Sequence, residues 1–215
     1  ESITAKTTLY ARPRNYTVIF ISNGSEYHKI TDITPGSKIT APTEPTRTGY
    51  TFGGWYTDAA CTNAYNFSST VNGSFTLYAK WTPKEYDVTF TYTDSTGTRT
   101  ESTTKKHDET VVLDSAYNWT ANGSPVSGTV TVTGDTDFVG TKKTYTVTVK
   151  DENGNTTDTQ TISHGGYPSL PNLGDGLFWV RSDGKAVGDP IRSDVTFTAS
   201  TSVTATYNYA NGTTG

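Results

Sequence analysis

Tyr16-Thr-Val-Ile-Phe20, Tyr86-Asp-Val-Thr-Phe90 and Tyr145-Thr-Val-Thr-Val149 are three copies of one alternating pattern, and this recurrence decides the fold. Aromatic and β-branched residues at alternating positions are typical of β-strands. The copies are too far apart for a repeat of one or two elements, and their separation suits a small domain. The sequence therefore predicts three small modules in tandem, each opening on a strand.

Turn-forming residues follow each opening strand, in Ser22-Asn-Gly-Ser25, Thr93-Asp-Ser-Thr-Gly97 and Asp151-Glu-Asn-Gly154. Asn and Gly adopt positive φ at low cost, which a tight hairpin requires. Each opening strand should therefore pair with a returning strand, and these are predicted near Tyr27–Ile33, Arg99–Lys105 and Thr157–Ser163. Because polar residues are frequent in the returning strands, one face of each sheet should be open to water.

An aromatic cluster that ends in a tryptophan stands in the middle of each module, at Trp55, Trp119 and Trp179. We expect these rings to form the module cores, and Trp55 in particular to be buried. Each module should then close on a further strand, predicted at Phe75–Trp81, Phe138–Thr141 and Val203–Tyr207. The modest helix candidate of the first module is one turn at 66–70, capped by Asn66.

The composition excludes several classes of protein. Of the 215 residues, 32% are hydrophobic, and the net charge is −4 with both signs scattered along the chain. Phosphate neutralisation needs a concentrated basic face, so nucleic acid is not an expected partner. No apolar run is long enough to cross a bilayer, and Cys61 is the single cysteine, so an intrachain disulfide framework is excluded.

The first residues repeat the end of the first module, because Thr8-Leu-Tyr-Ala-Arg12 matches Thr76-Leu-Tyr-Ala-Lys80. We interpret residues 1–15 as the closing strand of a preceding module, which should dock on a neighbouring sheet edge or pair with a second copy. Apart from that contact we expect a monomer. The modules are predicted at 16–83, 84–143 and 144–209, followed by a linker at 210–215.

Residues 16–82 resemble the Listeria/Bacteroides repeat family, also called the internalin B-repeat family. The resemblance rests on Tyr16-Thr-Val-Ile-Phe20, then Pro45-Thr-Arg-Thr-Gly-Tyr-Thr-Phe-Gly-Gly-Trp-Tyr-Thr-Asp58, Tyr65-Asn-Phe67 and Leu77-Tyr-Ala-Lys-Trp81, in this order and spacing. It implies a compact β-grasp-like module that occurs in tandem in secreted or wall-attached bacterial proteins. The family supplies no catalytic residues to transfer.

The second and third modules depart from the family pattern. Tyr117-Asn-Trp119 and Leu177-Phe-Trp179 stand in place of the Gly-Tyr-Thr-Phe-Gly-Gly-Trp run, and the Leu-Tyr-Ala-Lys-Trp ending is lost. We interpret them as diverged β-grasp-like relatives. The expected fold class is therefore mainly β (α+β, β-grasp-like), with small modules arranged as beads on a string.

Residue types that bind metals or catalyse reactions are present but not grouped. His28, His107 and His164 lie in different modules without a second ligand at metal-binding spacing, which indicates surface or turn histidines. Residues 151–155 have the oxygen-rich look of a calcium loop, but hairpin turns use the same residues and the closing glutamate of an EF-hand is missing. We therefore assign no catalytic, cofactor or metal residues and expect no enzymatic activity.

Solvent-exposed aromatics could bind a glycan. The three module tryptophans are predicted to be core residues, and Tyr92, Tyr167 and Tyr209 are the more open candidates. Three hypotheses follow for a bacterial secreted or cell-surface protein. The first is a non-enzymatic stalk or spacer and interaction segment. The second is an adhesin module for host glycan or protein, and the third is an accessory region of a large secreted glycan-degrading enzyme.

Overall fold

A computed structural model describes residues 15–201, and every regular element in that range is a β-strand. The chain is mainly β, as the sequence predicts. The strands of the first third are β1 (Tyr16–Ser22), β2 (Ser25–Ile33), β3 (Tyr50–Tyr56) and β4 (Phe75–Pro83). The middle third forms β5 (Glu85–Asp94), β6 (Gly97–Lys106), β7 (Thr110–Val112), β8 (Tyr117–Ala121), β9 (Ser124–Val126), β10 (Thr129–Thr131) and β11 (Thr136–Lys142). The last strands are β12 (Thr144–Lys150), β13 (Thr156–Ser163), β14 (Phe178–Arg181) and β15 (Val195–Ser200).

Three larger sheets share one strand order. Their orders are β2-β1-β4-β3, β6-β5-β11-β8-β9 and β13-β12-β15-β14. In each sheet the opening strand lies parallel to the closing strand, and antiparallel neighbours flank this central pair. The two-stranded sheet β7–β10 accompanies the middle one. A parallel central pair needs a long crossover, which explains why the opening and closing strands are far apart in sequence.

The three predicted hairpins are confirmed, since β2, β6 and β13 each return beside the opening strand. In the first hairpin Asn23 and Gly24 have φ values of 52° and 77°. Positive φ at both central positions gives the turn a twist that matches the strands, and Asn-Gly adopts it at the lowest cost. The returning strands are almost entirely exposed, in agreement with their polar sequences.

The core of the first sheet is built on the buried face of β1, where Val18 and Phe20 are fully buried. Leu77, directly beside Phe20 in the parallel pair, is buried as well. Trp55 is 4% exposed, and its ring contacts Phe20 edge to face at a centroid separation of 4.9 Å. The predicted burial of Trp55 is therefore confirmed.

The middle sheet uses different residues for the same packing. Phe138 of β11 stacks on Phe90 of β5 at 5.1 Å, and Trp119 of β8 meets Phe90 edge to face. Trp119 is buried, and its indole N–H donates to the Asp114 carbonyl over 2.8 Å. A Cβ on Gly140 would lie 2.7 Å from the Trp119 ring, so a residue without a side chain is needed there.

The third sheet surrounds Val147, Val149 and Phe197, which are fully buried. Arg181 of β14 is only 5% exposed. Its guanidinium pairs with the Asp183 carboxylate at 2.8 Å and donates to the carbonyls of Ala186 and Asp189. The cation is thus paired and hydrogen-bonded, as a buried charge must be.

The same turn occurs after the returning strand of each sheet. Gly36, Asp108 and Gly165 all have positive φ there, at 78°, 69° and 79°. The turns exchange backbone hydrogen bonds with Val71, Val132 and Ile191, which are buried and β-branched. Each of these three residues lies six positions before the buried central residue of the closing strand. Three residues beyond each of these, the side chains of Ser74, Asp135 and Asp194 accept from the N–H of the residue that follows the opening tyrosine of each module.

Two compact units divide the described chain. The first consists of residues 15–87, 104–109 and 132–135 and contains the whole first sheet with its core. The second consists of residues 88–103, 110–131 and 136–201 and contains the whole third sheet with its core. No helix in residues 15–201 is long and apolar enough to cross a membrane.

The predicted single turn at 66–70, capped by Asn66, is present, but it does not form a helix. The Asn66 side chain accepts from the N–H of Ser68, and its carbonyl accepts from Ser69, which closes a single turn. The chain then leaves because the peptide groups of Val71 bond to the turn at Gly36 and Ser37. The expected helical contribution to the fold is therefore absent from residues 15–201.

One closing strand was predicted at a different place. The strand parallel to β12 is β15, Val195–Ser200, whereas the sequence pattern favoured Val203–Tyr207. The latter segment, like residues 1–14, lies outside the described residues. Both segments alternate Thr with apolar residues, so strand propensity alone does not separate them.

Candidate interaction site

The module tryptophans lie in or against the cores. Trp55 and Trp119 are buried. Trp179 is half-buried against the third core, and its indole N–H donates to the Pro171 carbonyl at 3.2 Å. Trp55 and Trp119 therefore offer no free face for stacking on a sugar, whereas Trp179 lines a shallow groove of the third sheet with Leu170 and Leu173.

The three tyrosines predicted to be more open differ from one another. Tyr92 is half-buried, with its ring 5.3 Å from Trp119, and burial raises the pKa of its hydroxyl. Tyr167 is 64% exposed and is the most exposed aromatic residue of the described range. Tyr209 lies outside it. Tyr167 is therefore open as predicted, and Tyr92 is more exposed than the buried Trp55 and Trp119 but is not a free ring.

An apolar groove of about 700 Å³ lies on the outer face of the first sheet. Successive side chains of a strand point to opposite faces, so Ile19 and Ile21 of β1 lie opposite the buried Val18 and Phe20. Ile21 is paired with Tyr78 on the neighbouring strand. The groove is thus floored by the two half-buried isoleucines and bordered by aromatic residues, which include Tyr78 and Trp81.

Polar groups border the same groove at the tip of the first hairpin. Asn23 and Glu26 line it there, and both are exposed. On the adjoining strands the Lys80 ammonium lies 4.9 Å from the centroid of the Tyr56 ring. Aromatic and aliphatic surface with a few polar groups at its border is the composition of a small-ligand or glycan site.

Sequence reasoning missed this groove, although a signal for it exists. Val18-Ile-Phe-Ile21 is a continuous apolar run rather than a strict alternation. A strand that is apolar on both faces is covered on both faces or presents apolar surface on one. The run therefore could have predicted the groove.

The histidines occupy three different environments. His28 is exposed on β2. His164 is half-buried, and its Nδ1 lies 3.1 Å from the Tyr145 hydroxyl. His107 lies in a turn as predicted, but its side chain is only 8% exposed, so it is not a surface histidine.

The ring of His107 is packed among aromatic residues. It contacts Tyr50 edge to face at 5.4 Å and Tyr86 at 5.9 Å. The Tyr50 hydroxyl donates to the Asp108 carboxylate over 3.0 Å, and this hydrogen bond raises the pKa of Tyr50. Within the described residues the Nδ1 atom of His107 has no hydrogen-bond partner. The His107 ring is therefore held by aromatic packing within the turn, and its Nε2 atom lies 3.5 Å from the Asp108 carboxylate.

The calcium-like loop at 151–155 satisfies its own carboxylate. Asp151 accepts from the backbone N–H groups of Asn153 and Asn155 and from the Asn155 side chain, all within 2.9 Å. The Asn155 side-chain bond, followed by the backbone bonds, lowers the pKa of Asp151. Both oxygens are engaged in the hairpin turn, and residues 15–201 contain no group of three His, Cys, Asp or Glu side chains placed to hold a metal ion.

Comparison with known proteins assigns the first module to a class of bacterial repeats. Residues 16–80 match the family model of the Listeria-Bacteroides repeat domain. This confirms the family resemblance of that segment.

Two proteins of Evansella cellulosilytica share sequence with part of the chain. One, named "Putative membrane protein", is 44% identical over 93 residues, which are 42% of this chain and 14% of that protein. The other, named "Putative Gly-rich membrane protein", is 44% identical over 85 residues, which are 38% of this chain and 10% of that protein. The matched region is therefore a small part of each relative.

Proposed function

We propose that this chain is a non-enzymatic spacer and interaction segment of a bacterial secreted or cell-surface protein, built from three tandem β-grasp-like modules. The modules correspond to 16–83, 84–143 and 144–209. The observation that carries the proposal is the recurrence of one sheet order, with a parallel central pair, in all three segments.

The fine structure supports common descent of the three modules. The positive-φ residue after the returning strand, the buried residue bonded to its turn and the side chain that holds the opening strand recur in each segment. These recurrences do not follow from sequence identity, because the residue types differ between the modules. The position that holds the opening strand carries Ser74, Asp135 and Asp194, and the positive-φ position carries Gly36, Asp108 and Gly165. A repeated backbone plan with changed side chains is what a diverged tandem array shows.

The comparisons support an envelope location. The first module matches a bacterial repeat family, and both relatives carry the name of a membrane protein. A spacer of an envelope protein would repeat a small stable module and devote its aromatic residues to the cores. Trp55, Trp119 and Phe138 are buried in this way.

A second candidate function is adhesion through the first module. The groove floored by Ile19 and Ile21 is the observation that favours it. A glycan or an apolar peptide segment fits its mixture of aromatic, aliphatic and polar border groups. An array of weak sites would bind through avidity.

Two measurements on the parent protein test the proposal. Antibodies against this chain should label intact cells of the source bacterium and lose their target after protease treatment of the cell surface. An unrelated rigid β-repeat of equal length, substituted for this segment, should preserve the activity of the parent. If only the native segment supports that activity, the segment is more than a spacer.

A further inference from the structure

The linkers between the sheets are single residues. β4 ends at Pro83 and β5 begins at Glu85, and β11 ends at Lys142 and β12 begins at Thr144. Lys84 and Lys143 are therefore the entire linkers. A one-residue connection restricts the geometry of its neighbours but does not by itself fix it, since its φ and ψ remain free.

Each linker residue forms backbone hydrogen bonds on both sides. The Lys84 N–H donates to the Gly49 carbonyl over 2.8 Å, and its carbonyl accepts from the His107 N–H over 2.8 Å. The Lys143 N–H donates to the Ala116 carbonyl over 2.9 Å, and its carbonyl accepts from the His164 N–H over 2.8 Å. Each set of three residues lies within one compact unit.

These bonds extend two sheets at once. Tyr117 is paired with Lys142 in one sheet, and Thr144 is paired with Ser163 in the next. The N–H of Lys143 adds one bond to the first ladder, and its carbonyl adds one bond to the second. Bending at the linker therefore breaks ladder hydrogen bonds rather than only rotating a free backbone.

We propose that the Lys143 linker is a locked joint, in which the peptide groups of this lysine are clamped between the two consecutive modules that it joins. The clamp is the pair of backbone hydrogen bonds to the linker lysine. The residue that donates from the following module, His164, decides whether this joint is locked. This inference rests on the tandem-module function proposed above and specifies how a spacer resists bending.

The first module supplies a natural contrast at the donor position. His107, His164 and Pro35 each stand directly before the positive-φ residue of the equivalent turn. These turns close with the same backbone hydrogen bond, from Ser37 to Thr34, Glu109 to Lys106 and Gly166 to Ser163. Proline has no N–H, so the turn of the first module lacks the donor that completes the clamp.

The contrast provides a clean substitution. Pro35 shows that this turn accepts proline at the donor position, which is also a favoured position for proline in such turns. His164→Pro removes the N–H that bonds to Lys143. His164→Ala is the matched control, because it keeps that N–H and removes the imidazole ring with its contact to Tyr145.

Distance measurement within the second unit tests the joint. Spin labels at Val112→Cys and Val180→Cys, both exposed side chains of that unit, are introduced with Cys61→Ser in the full chain. The distance distribution from double electron–electron resonance should be narrow in the labelled chain with His164 and in His164→Ala, and about twofold broader in His164→Pro. Equal widths in all three proteins, or broadening in His164→Ala alone, would overturn the proposal.

Amide exchange of the chain keeps the proposal testable if His164→Pro unfolds. In the unsubstituted chain the Lys143 and His164 amides should be as protected as those of the flanking strands. In a folded His164→Pro variant the Lys143 amide should exchange about tenfold faster, because opening the joint then breaks one hydrogen bond fewer. Lys143 and His164 amides that exchange at the rate of unstructured peptide contradict the clamp, whereas failure of the cell-surface labelling would contradict only the spacer function.

Discussion

The imidazole ring of His107 lies in the space that a side chain on Gly49 would fill. Gly49 also has a φ of 76°, a conformation that L-residues with a side chain rarely adopt. Glycine is therefore required at this position of the family's Gly-Tyr-Thr-Phe motif for two reasons, the backbone conformation and the close packing of the ring.

Substituting this glycine should cost more than conformation alone. Gly36 is a matched control, since its φ is 78° and nothing lies within 4 Å of an added Cβ. We expect Gly36→Ala to lower the free energy of unfolding by about 1–2 kcal/mol. Gly49→Ala should cost at least about 1 kcal/mol more because the His107 ring must move. Equal losses in urea denaturation would show that the ring does not restrict this position.

Removing the central ring of the first core should be strongly destabilising. Trp55→Ala deletes a 4% exposed side chain packed on Phe20, so we expect a loss of about 3–5 kcal/mol. Tyr167→Ala, at a 64% exposed ring, should stay within about 0.5 kcal/mol. Thermal unfolding of both variants checks this, and an unchanged transition for Trp55→Ala would remove Trp55 from the core.

Acid should weaken the third sheet through Asp183. The hydrogen bond and charge of Arg181 hold the pKa of this carboxyl below its usual range. A lowered folded-state pKa stabilises the fold above the unfolded value, near pH 4, and this stabilisation is lost as the pH falls through the folded value. Asp183→Asn should therefore be less stable than the unsubstituted chain at pH 6, and the difference in the free energy of unfolding should shrink below pH 4. Denaturation series across pH 2–6 measure it, and a constant difference would exclude this titration.

The groove on the first sheet separates the spacer from the adhesin hypothesis. A spacer predicts no specific signal on glycan arrays or host-matrix proteins. If binding is seen, Tyr78→Ala should reduce it at least about tenfold because Tyr78 borders the groove, whereas Tyr167→Ala should leave it unchanged. Binding that is lost only in Tyr167→Ala would place the site in the third module.

The sequence predicted the features that depend on local chemistry. Asn23-Gly24 specifies a hairpin turn by itself, and the alternation after Tyr16, Tyr86 and Tyr145 specifies the opening strands. Features that depend on how an irregular loop closes were missed. Arg181 is buried because its donors meet Asp183 and two loop carbonyls, a closure that no local pattern reveals.

The misplaced closing strand has a similar cause. Val195–Ser200 and Val203–Tyr207 have equal strand propensity, and the choice between them is made by pairing. Asp194 accepts from the Thr146 N–H, and Val195 then aligns with Val147 in the parallel pair. An acidic or hydroxyl residue directly before the closing strand is the signal that could have located it, since Ser74 and Asp135 occupy the same place.

Stretching the full chain by its ends in single-molecule force spectroscopy tests the central claim most directly. Three tandem modules predict three separate unfolding events, each releasing about 20 nm of chain at about 3.5 Å per residue. Trp55→Ala should weaken one of the three events and leave the other two at their original force. A single event that releases the whole chain, or a substitution at Trp55 that lowers the force of every event, would contradict the tandem-module account.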